Sequence, residues 1–152
     1  MSGLLQTAEI ARAFALAGNA TLTLVSKATS QRFTYKIKVC ENDAQLFFVS
    51  YLYGPENDTN FAYLGLIRRE VYFHGGTKAR EWEGAPVAKA FAWAWRQLVQ
   101  DKMPSTLEVW HEGRCGRCNR KLTVPSSIAS GFGPECAARG PAVVRRFFAE
   151  AS

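Results

Sequence analysis

The sequence predicts an α+β fold, an antiparallel sheet packed by helices and followed by a small C-terminal module built on cysteines. Three observations lead there. Arg32 to Val39 alternates Phe33, Tyr35, Ile37 and Val39 with Arg32, Thr34, Lys36 and Lys38, the period-two pattern of a half-buried strand with a basic outer face. Pro86 to Gln100 carries Val87, Phe91, Ala94, Trp95 and Leu98 at helical spacing, a stripe that must pack on another element. Trp110 to Ala137, WHEGRCGRCNRKLTVPSSIASGFGPECA, holds three of the four cysteines.

The remaining elements follow from the same signals. LLQTAEIARAFALAGNA places Ile10, Ala13, Phe14 and Ala17 on one helical face and stops at Gly18-Asn19, so it reads as a short amphipathic helix. Strands are expected at Thr21–Val25, Gln45–Tyr53, Phe61–Ile67 and Glu70–His74, giving with Arg32–Val39 a meander of about five strands. The polar turn Gly54–Asn60 interrupts it, and Gly75-Gly76 closes it. Pro86 can open the long helix because proline lacks only an N–H that the first turn leaves free. Pro104-Ser105 marks the boundary between a sheet-plus-helix body, residues 1–104, and a metal-binding module, residues 105–152, entered by a strand at Leu107–Trp110 and ended by a helix after Pro141.

Length, 47% hydrophobic residues and 21% charge fit a chain that buries a core without disulfides. No apolar run of about 18 residues offers a membrane span. Glu9 and Arg12 break the apolar stretch near the N-terminus, so an intracellular, cytoplasmic protein is expected. The net charge of +6 favours an anionic partner, but residues 1–100 and 101–152 each carry +3, so charge alone selects no binding end.

Cys115 and Cys118 have the spacing of a zinc knuckle, with Gly116 permitting the tight turn. Cys136 falls in the first turn of a helix begun by Pro134, where the dipole favours a thiolate. With His111 they make a Cys₃His set, a closed structural zinc site. Water, His74 or Cys40 are alternatives to His111. A disulfide or redox pair is disfavoured by the intracellular setting and by the lack of a thioredoxin-like βαβ context. Residues 110–140, through Cys115, Cys118, the Gly131 to Pro134 run and Cys136, resemble the small zinc-ribbon or treble-clef-like domain of unknown function found in phage and mobile-element proteins. The resemblance implies metal binding and a mobile-element source, and no reaction.

No phosphate-binding loop, nucleophile elbow, HExxH or deaminase pattern occurs, so neither an enzyme nor a small-molecule substrate is expected. Arg114, Arg117, Arg120 and Lys121 around the knuckle, and Arg32, Lys36 and Lys38 on the strand, point to phosphate contacts, against the simpler alternative that they solvate a surface. Trp93, opposite the helix's core stripe, is a candidate for stacking on a base or anchoring a protein. The expected partner is nucleic acid. The alternative is a nucleic-acid-handling host protein, with the chain acting as a phage-type, anti-CRISPR-like inhibitor of a defence complex.

Overall fold

The computed structural model describes residues 3–56 and 59–150. Its elements are β1 (Gly3–Leu5), α1 (Ala8–Ala15), β2 (Asn19–Ser26), β3 (Arg32–Cys40), β4 (Asp43–Leu52), β5 (Phe61–Arg68), β6 (Val71–His74), α2 (Pro86–Val99), β7 (Leu107–His111), α3 (Pro125–Ser130), α4 (Pro134–Ala138) and α5 (Ala142–Glu150). The described strands form one seven-stranded sheet, β1-β7-β2-β3-β4-β5-β6, antiparallel at every junction. The fold is the expected α+β class. The turn expected at Gly54–Asn60 includes Asn57 and Asp58, which lie outside the described residues.

The alternation in β3 sets the sheet's two faces. Tyr35 and Ile37 are buried, and register aligns them with Tyr51 and Val49 of β4 and with Leu22 and Ala20 of β2. Helix α2 covers this face. The Phe91 ring lies 4.9 Å from that of Tyr35 and 5.0 Å from that of Tyr72, and it stacks on Trp95. The polar tips of these aromatics are satisfied: Tyr35 donates to the Val87 carbonyl at 2.6 Å, and the Trp95 indole to the Glu70 carbonyl at 2.9 Å. Burial pushes the Tyr35 phenol far up, keeping it a donor.

Helix α1 begins later than LLQTAEIARAFALAGNA suggested. Thr7 is its N-cap, accepting from the Ile10 N–H at 3.2 Å, a contact worth about 1 kcal/mol. Before the cap the chain is extended, and Gly3, Leu4 and Leu5 pair with His111, Trp110 and Val109 of β7. Strand β7 lies between β1 and β2, so residues 107–111, placed by sequence after the Pro104 boundary, are an internal strand of the sheet. Helix α5 packs on α1, α3 and α4. Among the described residues, no helix is long and apolar enough to cross a membrane.

Candidate metal centre

Beyond β7 the chain folds into a tight hairpin. Arg114 and Lys121 form an isolated bridge, the Cys115 N–H donates to the Arg120 carbonyl at 2.8 Å, and the Leu122 N–H donates to the Gly113 carbonyl at 2.7 Å. Cys115 and Cys118 lie at its tip, closed by Asn119, whose φ of 66° lies in the left-handed region that Asn tolerates. The chain then makes α3, and Gly131 caps it at φ 81°. Pro134 opens α4, which carries Cys136.

Phe14 of α1 fixes this segment to the sheet. Its ring is 5.7 Å from that of His111 and 6.1 Å from that of Phe132. A Cβ on Gly116 would come within 2.8 Å of the Phe14 ring and one on Gly131 within 2.6 Å, so glycine at both positions allows the hairpin and the loop to close on it. The Asn19 N–H donates to the Gly116 carbonyl at 2.8 Å, and the Gly116 N–H to the Gly131 carbonyl at 3.0 Å.

The ligand atoms of Cys115, Cys118 and Cys136 all lie within 4.8 Å of one another, and all three thiols are free. Three thiolates about 2.3 Å from one tetrahedral zinc would be about 3.8 Å apart, so the set fits such an ion. At Cys115 burial opposes ionisation, but backbone hydrogen bonds from Cys118, Gly133 and Arg117 outweigh it and lower the thiol pKa. The Arg117 N–H reaches the Cys115 Sγ at 3.4 Å. Cys136 is pushed up to about 11, first by burial and then by the two neighbouring thiols. A bound metal would deprotonate the set and tie together the hairpin and α4.

His111 does not join the cluster, contrary to the Cys₃His expectation. Its side chain is only 4% exposed, its Nδ1 accepts from the Gly113 N–H at 2.9 Å, and its Nε2–H donates to the Ile128 carbonyl at 2.7 Å. No ring nitrogen is left for a metal. Burial lowers its pKa, outweighing the Ile128 carbonyl and Glu112, so it is a neutral brace between β7 and α3. His74 is held the same way, by the Gly76 N–H and the Glu81 carbonyl, and Cys40 is not part of the cluster. Among the described residues no fourth Cys, His, Asp or Glu completes the site, which is open where Cys118 is exposed.

The knuckle's cations divide between two surfaces. Arg117, Arg120 and Lys121 line a cleft of about 600 Å³ beside Cys118 and Cys136, together with Arg139, which sequence reading had passed over. Arg114 lines a separate concavity of about 520 Å³ with Lys36, Thr34 and Phe61. Lys36 also lies over the Phe61 ring at 5.6 Å. Lys38 is exposed further along the same face of β3, and Arg32 is exposed at its start. Trp93 lines a largely apolar groove with Leu24, Phe33 and Leu107.

No curated protein and no solved structure matches this chain. Residues 106–139, from β7 through α4, are similar to a family of unknown function, DUF6011.

Proposed function

We propose that this chain is a non-enzymatic, zinc-stabilised protein that binds nucleic acid on the sheet face turned away from the helices. The observation that carries this reading is the cross-strand order on that face. One row runs Thr21, Lys36, Ser50 and Tyr63, and the next runs Asn19, Lys38, Phe48, Leu66 and Phe73. Phe48 is 40% exposed and Phe73 52%, so the ammonium groups of β3 and the rings of β4 to β6 lie side by side on an open surface that continues into the concavity at Arg114. Exposed rings of this kind accept bases by stacking, and the cations beside them neutralise phosphates. Thr23 holds Glu112 at 2.6 Å, which fixes the one carboxylate lining that concavity.

Anisotropy titrations with random single-stranded oligonucleotides at several salt concentrations test the reading. Affinity should fall with salt, and Phe48→Ala should weaken binding by about 1–3 kcal/mol. Salt-independent binding, or an unchanged Phe48→Ala affinity, would refute it. The groove at Trp93 favours a second reading, a protein-directed inhibitor, because its lining is mostly apolar. A complex with a host nuclease that survives nuclease treatment would support that alternative.

A further inference from the structure

We infer that the cleft beside the three thiols is a binding site for a phosphoryl group. Two independent features of this chain meet there. Arg117, Arg120, Lys121 and Arg139 line it and supply positive charge from both the hairpin and the end of α4, outnumbering the one carboxylate in the lining, Glu135. Ser127 of α3 also lines it, and the Ser127 hydroxyl is buried, 2% exposed, with no hydrogen-bond partner. A buried hydroxyl is ordinarily paired, and one without a protein partner on a residue that lines a cleft is suited to donate to a ligand oxygen. The cations match the charge of a phosphoryl group, and arginine forks match its oxygens. The cluster lacks a fourth protein ligand among the described residues and opens on the same cleft at Cys118 and Cys136, so an anion held here lies beside the metal. The inference rests on the metal-binding part of the reading above and extends it to a second surface, separate from the sheet face.

The test uses the full chain loaded with cobalt(II) and follows the phosphorus resonance of inorganic phosphate. Saturable paramagnetic broadening is expected, because the phosphate sits close to the metal. Ser127→Ala should weaken phosphate binding roughly tenfold, the loss of one hydrogen bond to a charged group, with cobalt content unchanged. Arg139→Gln should weaken it as well and reduce its salt dependence. Absence of broadening, or full phosphate affinity in Ser127→Ala, overturns the site. Competition with one short strand bearing a 5′-phosphate or a 5′-hydroxyl separates the sources: displacement only by the phosphorylated strand assigns a strand end, and displacement by neither assigns a free phosphate compound. Oligonucleotide binding that persists without any phosphate broadening would remove this inference and leave the sheet-face reading standing.

Discussion

Under α2 the sheet is held by large rings: Tyr35, Phe91 and Trp95 are almost fully buried, and Phe91 lies against both of the others. Between Gly113 and Gly140 the buried side chains are mostly small, Ser126, Ser127, Ser130, Ala137, Cys115 and Cys136, with only Leu122 and Phe132 as larger apolar groups. Burying a large side chain stabilises by about 1.5–3 kcal/mol, so the first region can hold itself together and the second cannot. The difference shows what the thiols are for. Where apolar area is scarce, a metal that joins the hairpin to α4 takes over the role of a core. The Phe14 ring joins this segment to the sheet, set against His111 of β7 on one side and Phe132 on the other.

The sharpest way to break this comparison is to remove a thiol. Cys136→Ser should lower metal content from about one equivalent per chain to near zero and unfold the segment that the metal organises, since structural zinc contributes about 10–16 kcal/mol in small fingers. Elemental analysis and circular dichroism read both. Metal retained by Cys136→Ser, or a wild-type chain without metal and with two thiols oxidised, would contradict the assignment. Next in size, Phe14→Ala should cost about 3–5 kcal/mol and also weaken metal affinity, because the same ring supports the sheet and the hairpin. A lower melting temperature with unchanged metal affinity would show the two regions to be uncoupled.

A smaller effect comes from His111. Its folded-state pKa lies below the unfolded value of about 6.5, so the unfolded chain takes up the proton first and stability falls as pH drops below about 6.5. Urea midpoints should decline over that range more steeply in the wild type than in His111→Gln, where this contribution is absent. Equal slopes would mean that His111 is not held neutral. The smallest effect belongs to Arg114→Gln: stability should change by less than about 0.5 kcal/mol, while the salt dependence of oligonucleotide binding becomes shallower.

Much of this was legible in the sequence where a pattern is local. The alternation of β3, the stripe of α2 and the Cys115–Cys118 spacing each carry their own signal, and each element is found as read. Strand β1 was not legible. Gly3 to Leu5 is three residues long, and it is a strand only because β7, about a hundred positions away, supplies its hydrogen bonds. Helix α3, six residues opened by Pro125, is too short for periodicity to show. His111 looked like a ligand because its spacing from Cys115 allowed it, and only tertiary contacts with Gly113 and Ile128 reveal that both nitrogens are spent. The exposure of Phe48 and Phe73 was not legible, since an apolar strand does not say that its second face is left open.

Hydrogen exchange on the metal-loaded and the chelated protein tests the contrast between the two regions most directly. Chelation should remove protection from about Gly113 to Ala138 while β3, β4 and α2 keep theirs. Loss of protection across the whole sheet, or no loss anywhere, would contradict it.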